Sequence, residues 1–543
     1  MNSTDPQETL PHVVIPAADD SAAIPQDIRV SSLSVTAGRR QLLNRANAIF
    51  PARQLTLIVG PSGVGKSLLL KIIAGLVPRD HASIHFSGNI ETGTQQQNLG
   101  VVFQSFALFD ELTPKGNIEF AKAHRCGGSR DVSADVLLET LKIPQNVRTS
   151  LLSGGQRQRL AIARTLAYDP AAILYDEPTS GLDPATAHQV ATIILETHRR
   201  FQKTSIVVTH DYDSLLPISD KVYILDPTDA SLREIPKEQW QTIGEMLEPM
   251  SRSVHVNEER IADDTGGWRW LANLHRVLPH TSKLCEAMLI GLVSLVPTWR
   301  SQKWGLTYLM HYARLVAGPT AWIYMALSGL IIGFVTTYFV FRFLPFAGYT
   351  QPLLIEELLS AMGFSLYRIF IPVLATVMIA ARSGAAITAD IGSKQYGQQI
   401  DALQTINVSP RAYLLTPIMI SFVIGTPLLN MIAFWAARYT SLFTFTFSQP
   451  GHTPDFWNQN FHYSLHVIGG TFYFGTGWLL AKLVCCGLGI GVISYFQGRQ
   501  PKFSSIDVSQ SVTATILWTT LYVLAVHFAF AFYEFNVLPS SVE

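Results

Sequence analysis

The chain has 543 residues, enough for more than one domain, since a single core rarely grows past about 250–300 residues. Lys+Arg and Asp+Glu number 40 each, so no basic excess points to nucleic acid as a partner. Charged residues are 15% of the chain, against about 25% in typical soluble proteins, and mean hydropathy is positive, which argues against a wholly water-soluble protein.

Residues 1–26 lack the basic and apolar regions of a signal peptide and read as a short disordered acidic tail. From residue 27 to 250, strand-like runs ("LTLIVG", "AAILYD", "TSIVVTH", "KVYILD") alternate with helical stretches. That alternation predicts an α/β domain with a mainly parallel sheet. Within it, "GPSGVGKS" runs through Gly60, Pro61, Ser62, Gly63, Val64, Gly65, Lys66 and Ser67 directly after a strand. Glycines let backbone N–H groups close on phosphate oxygens, and the following helix adds its positive dipole end. Lys66 supplies a charge to the β- and γ-phosphates of ATP, and Ser67 a hydroxyl to Mg²⁺.

Downstream, "AAILYDEP" ends an apolar strand in Asp176 and Glu177. Asp176 is placed to hold Mg²⁺ through water, and Glu177 to polarise an attacking water. The competing reading is a strand ending in solvated acids. It weakens because the strand follows "LLSGGQRQRLAIARTLAYDP", which contains Ser153, Gly154, Gly155 and Gln156. This phrase resembles the signature motif of ATP-binding cassette (ABC) transporter ATPases. Gln104 in "VFQS", Asp183 in "SGLD" and His210 in "VVTHD" fall in the cassette order. The resemblance implies a P-loop ATPase in which Gln104 (the Q-loop) and His210 (the switch histidine) join Glu177 as catalytic residues and Gln104 also serves the metal. It also implies two cassettes sandwiching two ATP molecules, each lying between Lys66 of one chain and Ser153 and Gly155 of the other, hence a homodimer. The family often stacks an aromatic residue on adenine. Here Val35 stands near that place, leaving Arg39 or Arg40 as candidates.

Residues 251–275 are polar and read as a linker. Beyond them, 276–543 reads as an all-α polytopic domain of about five transmembrane helices. The expected spans are Leu315–Phe341, Phe370–Ile387, Ala412–Ala437, Phe456–Ala481 (continuing into the glycine-rich run after it) and Val508–Tyr533. Met288–Trp299 is too short to cross and suits an interfacial helix. Lys and Arg cluster on alternate loops, with Arg382, Lys394 and Arg411 between spans two and three, whereas Glu356 and Glu357 follow span one. That alternation predicts an N-terminus inside and a C-terminus outside. Gly329 and Gly333 form a GxxxG that suits either internal packing or a dimer face. The four cysteines (Cys126, Cys285, Cys485, Cys486) form no CxxC pair, and His275, His280 and His311 show no metal spacing.

"ARSGAAITADIGSKQYGQQIDAL", followed by "INVSPRAYLLTPIM", is similar to the permeases that work with MCE-domain lipid-transport proteins, the Mla-type permeases. The match falls on Arg382, Gly384, Thr388, Ala389, Asp390, Ile391, Gly392, Gln399 and Asp401. It departs at "RIFIPV", where Ile369 and Ile371 replace the acidic residue and the glycine common before this proline. Physically, the segment reads as the end of span two turning into a cytoplasmic coupling helix near Gln104, with Arg382 and Asp390 paired at the membrane surface.

The resemblance implies a fused ATPase–permease of the bacterial inner membrane, with its ATPase in the cytoplasm and its C-terminus in the periplasm. Phospholipid or a related lipid is the implied substrate. An MCE-domain protein and a small STAS-type subunit are implied partners. The alternative is a half-size exporter of the G-subfamily type for sterols or drugs, which shares the cassette-first order. A soluble regulatory cassette would require that the apolar stretches not be spans.

Overall fold

The computed structural model describes residues 27–248, 250, 286–343, 354–465, 473–502 and 504–536, apart from gaps at 39, 80–82, 93–98 and 126–132. The tail, the linker, Arg39, Cys126, Cys285, His275 and His280 lie outside the described residues. Two compact units emerge. One takes the described residues before Gly267 together with Gly397–Val408, and the other takes those of Trp268–Tyr396 and Ser409–Glu543.

Among its described residues, the first unit carries two sheets. β1 (Ile28–Ala37) pairs antiparallel with β2 (Arg40–Phe50) and β4 (Ile84–Glu91), in the order β2-β1-β4. The larger sheet has the order β5-β6-β7-β3-β8-β9. It comprises β3 (Leu55–Val59), β5 (Leu99–Val102), β6 (Ala172–Asp176), β7 (Thr204–Thr209), β8 (Lys221–Asp226) and β9 (Ser231–Ile235). All its pairings are parallel except β8 with β9. β3, β5, β6 and β7 are buried along their whole length, as strands covered by helices on both faces must be, and their sequences are correspondingly continuous apolar runs. Around them lie α1 (Lys66–Ile73), α2 (Pro114–His124), α3 (Ala134–Thr140), α4 (Gly154–Tyr168) and α5 (Pro184–Phe201). β3 is central and leads straight into α1, which puts the phosphate loop at the carboxyl end of the parallel strands.

Among its described residues, the second unit has five helices long and apolar enough to cross a membrane: Gln302–Phe343, Ile355–Tyr396, Arg411–Ser448, Thr476–Arg499 and Ser505–Glu534. Three differ from the expected spans. Span one breaks at Gly318 into Gln302–Ala317 and Pro319–Phe343. Its 42 residues would make about 63 Å of helix, roughly twice a hydrocarbon core, so the first piece need not lie in lipid. Span two does not end near Ile387 but continues to Tyr396, through π-helical turns at Leu366–Phe370 and Ala380–Gly384. Arg382 and Lys394 are therefore inside this helix rather than in a loop. The fourth span is the glycine-rich Thr476–Arg499, not Phe456–Ala481. Pro454–Phe461 is instead a short separate helix, capped by Thr453, whose Trp457 and Phe461 are buried and stacked on each other at 4.2 Å.

Gly329 and Gly333 serve internal packing. A Cβ on either would come within 2.2 Å of the carbonyl oxygen of Ala433 or Ala437 in span three. One turn on, Thr337 donates to Ser441 at 2.8 Å, and both residues are buried. Residues 286–293 are helical, with Leu289, Leu292 and Val293 exposed, so the helix expected over Met288–Trp299 starts earlier and ends at Val293, where a turn follows.

Candidate nucleotide site and coupling segment

β3 delivers the phosphate loop. Gly63 and Gly65 have φ of 75° and 104°, a left-handed backbone that side chains disfavour, and Gly65 caps α1. Lys66 is buried, and its Nζ donates to the carbonyls of Gly60 at 2.8 Å and Pro61 at 2.9 Å. It also lies 3.6 Å from Glu177 Oε1. Burial pushes the Lys66 ammonium below its ordinary pKa, and Glu177 opposes that shift.

Ser67 donates to Asp176 Oδ1 at 2.7 Å. Asp176 ends β6, and burial raises its pKa against the help of that hydrogen bond. A buried carboxylate and a serine hydroxyl bonded to it make oxygen donors that suit a hard divalent cation, and Gln104, in contact with the adjacent Glu177, has an amide oxygen to add. An ionised carboxylate with little solvent beside it is compensated best by such a charge.

Glu177 is the point of convergence. It accepts from Gln104 Nε2 at 3.1 Å, and His210 Nδ1 lies 3.1 Å from its other oxygen. With Lys66, three residues far apart in sequence meet on one carboxylate. Its own backbone is held at φ 46°, an uncommon conformation for a non-glycine, and its N–H is tied to the Val208 carbonyl of β7 at 2.8 Å. Gln104 also reaches Ser180 at 3.4 Å, a contact the motif order alone did not announce.

The signature residues stand apart from this cluster. Ser153 caps α4, accepting from the Gln156 N–H at 3.3 Å while Gln156 accepts from the Ser153 N–H at 3.0 Å. Gly155 has no room for a Cβ, which would meet Thr186 at 2.7 Å. Asp183 caps α5 by accepting from the Thr186 N–H at 3.0 Å, and this bonding holds its carboxyl below the usual range. Ser153, Gly154, Gly155, Gln156 and Asp183 thus present two helix N-termini rather than contributing to the Lys66–Glu177 cluster. Val35 is buried in β1 and cannot stack on a base, whereas Arg40 donates to the Gly63 carbonyl of the phosphate loop at 3.4 Å.

The expected coupling residues divide between the units. Gln399 and Asp401 fall on Gly397–Val408, with the cassette, on α6 (Gln399–Thr405). Gln399 donates to Asp110 at 3.0 Å, and Lys71 donates to Asp401 at 3.1 Å. Ser105, next to Gln104, donates to the Gly397 carbonyl at 3.0 Å and to Gln398 Oε1 at 2.9 Å. Arg382 and Asp390 belong to span two and do not pair with each other. Eight helical residues separate them by about 12 Å. Arg382 donates instead to Thr320 at 2.6 Å and Ser383 at 3.0 Å, and Asp390 accepts from Lys394 at 2.8 Å and Tyr312 at 3.1 Å. His311 lies 3.9 Å from Asp390. Lys71, Ser105 and Asp110 were missed from sequence. Only Lys71 carried a signal, its position one turn after Ser67.

Comparison with known proteins separates the same two parts. The family model described as "ABC transporter" matches residues 43–180, and that described as "Permease MlaE" matches residues 310–533. A sulfate/thiosulfate import ATP-binding protein CysA from Mesostigma viride is 38% identical over 206 residues, covering 37% of this chain and 59% of that protein. The protein of the same name from Escherichia coli strain K12 is 31% identical over 237 residues, covering 42% of this chain and 63% of its own length. The match to these curated relatives therefore spans about three-fifths of their length. A solved dimeric bacterial ABC transporter cassette is 28% identical, covers 38% of this chain and 97% of its own, and has a TM-score of 0.33.

Proposed function

Because the chain joins an ABC transporter ATPase domain to an MlaE permease domain, we propose that it is an ATP-driven lipid transporter of a bacterial inner membrane. It exchanges phospholipid or a related lipid with a periplasmic MCE-domain protein. The observation that carries the ATPase half is the meeting of Lys66, Gln104 and His210 on Glu177. The similarity to sulfate importers lies in the cassette, whose residues here handle phosphates. Substrate choice follows from the permease, and the permease match points to lipid.

In this reading Lys66 and the loop N–H groups bind the β- and γ-phosphates. Glu177 accepts a proton from the attacking water, with its carboxylate aimed by Gln104 and His210. His210 contacts Glu177 through Nδ1, and a γ-phosphate would accept from its Nε2–H when both ring nitrogens carry protons. Ser67, Asp176 and Gln104 would hold Mg²⁺, which would supply positive charge to offset that of the phosphates. The N-terminus of α4 at Ser153 has its dipole available for the phosphates of a second copy, which supports a homodimer.

Arg300, Lys303, Lys394, Arg411, Arg499 and Lys502 fall near one set of span ends with Asp507, and Glu356, Glu357 and Asp455 near the other with Arg342, so the basic residues favour the first set. That bias supports an ATPase in the cytoplasm and a periplasmic C-terminus. Segment 397–408 is the coupling element between ATP turnover and the spans.

Purification of the full chain in mild detergent, followed by mass spectrometry of bound lipid and protein, tests the reading. A phospholipid and an MCE-domain protein are expected, and a STAS-type subunit would extend the assembly. Purified protein free of lipid, in a cell that expresses MCE-domain proteins without capturing one, would contradict the proposal.

A further inference from the structure

Segment 397–408 has buried apolar residues (Ile400, Leu403, Ile406) between polar anchors. Ser105 and Asp110 tie it to the stretch that follows Gln104. The Lys71–Asp401 contact leads elsewhere, to α1, the helix that opens with Lys66 and Ser67. Lys71 follows Ser67 by four residues, so the two share a helix face about 6 Å apart along the axis. Ser67 in turn donates to Asp176. A carboxylate 330 residues away in sequence thus holds the outer turn of the helix whose first turn carries the phosphate lysine and the metal-binding serine.

The geometry points to Lys71 and Asp401 as a positioning pair, through which segment 397–408 sets α1, and with it Lys66 and Ser67, independently of the path through Gln104. The inference rests on the reading of 397–408 as a coupling element. The pair is partly solvated, with side chains 24% and 21% exposed, and pairs of that kind add little to stability. They can form and part as the segment shifts without threatening the fold. Stability should therefore be nearly blind to the pair, and catalytic coupling should feel it.

The test uses the full chain in nanodiscs of phosphatidylethanolamine and phosphatidylglycerol. Two quantities are read: kcat and KM for ATP, and the ATP-induced change in hydrogen exchange across Arg411–Ser448. Asp401→Ala should lower kcat at least fivefold with KM within twofold, and should halve the exchange response. Asp401→Glu should return both to within twofold of the parent, and the swap Lys71→Asp with Asp401→Lys should recover at least a third of kcat. Parental values for Asp401→Ala would overturn the inference. So would an Asp401→Glu variant as impaired as Asp401→Ala, because the defect would then not be one of charge. Replacing Gln399–Thr405 by a Gly-Ser stretch of equal length separates the two levels. If that replacement abolishes the exchange response while Asp401→Ala preserves it, only the pair is overturned. If the replacement also leaves the response intact, the coupling reading falls with it.

Discussion

Alanine at Gly333 should prise span one from span three. The new Cβ would sit 2.2 Å from the Ala437 carbonyl oxygen and 2.7 Å from its Cα, whereas real Cβ contacts stay beyond 3.0 Å. The helices must part by about 0.8 Å, and a gap of that size forfeits a quarter to a half of the local dispersion energy. The buried Thr337–Ser441 bond, 2.8 Å long and one turn away, would stretch past hydrogen-bonding range. Overpacking costs about 1–3 kcal/mol, and an interhelical hydrogen bond in a membrane protein adds about 0.6 kcal/mol. The expected loss is therefore about 2–4 kcal/mol. Adding Gly329→Ala should increase it by less than the same amount again, because the two sites share one seam. Unfolding by SDS titration from mixed micelles measures the loss. Gly477→Ala is the control, because a Cβ there meets nothing within 4 Å. If Gly333→Ala keeps parental stability while only the dimer fraction falls, the glycines form a dimer face and the intrachain seam is refuted.

Two further outcomes concern the nucleotide site. Asp176→Asn should stabilise the nucleotide-free protein while removing Mg²⁺-dependent ATP turnover. Burial raises the Asp176 pKa above its ordinary 3.8, so the ionised form is penalised in the fold. The stability gap between variant and parent should open as pH rises from 3.8 through the folded-state value, stay constant above it, and vanish at lower pH; urea or thermal unfolding across pH reads it, and a gap independent of pH would contradict it. Glu177→Gln should slow ATP turnover by about 10²–10⁴-fold while ATP binding persists. Near-normal turnover in a phosphate-release assay would remove Glu177 from its role.

The cassette was legible because its chemistry is local. Gly60–Ser67 follows a buried strand, and Asp176 ends another with Glu177 directly after it, so each motif carries its own structural context. The order of motifs named Lys66, Gln104, Glu177 and His210, but neither their meeting on Glu177 nor the left-handed backbone that aims it was legible there. The spans were legible where charge was absent and failed where charge was satisfied. Arg382 appeared to interrupt a helix, but Thr320, Ser383 and the Leu315 carbonyl accept its guanidinium, so the helix runs on. Hydropathy also merged the aromatic helix Pro454–Phe461 with the true fourth span, since apolar content alone cannot distinguish a buried cap from a crossing helix. Asp401 found its partner at Lys71, a pairing no local pattern encodes.

Lipid movement driven by ATP is the most direct measurement. The full chain, reconstituted in liposomes carrying a headgroup-labelled phospholipid, should change the label's distribution between leaflets, or pass it to an added MCE-domain protein, only with ATP and Mg²⁺, and Glu177→Gln protein should do neither. Label movement at the same rate without ATP, or equal movement by Glu177→Gln protein, would contradict the account.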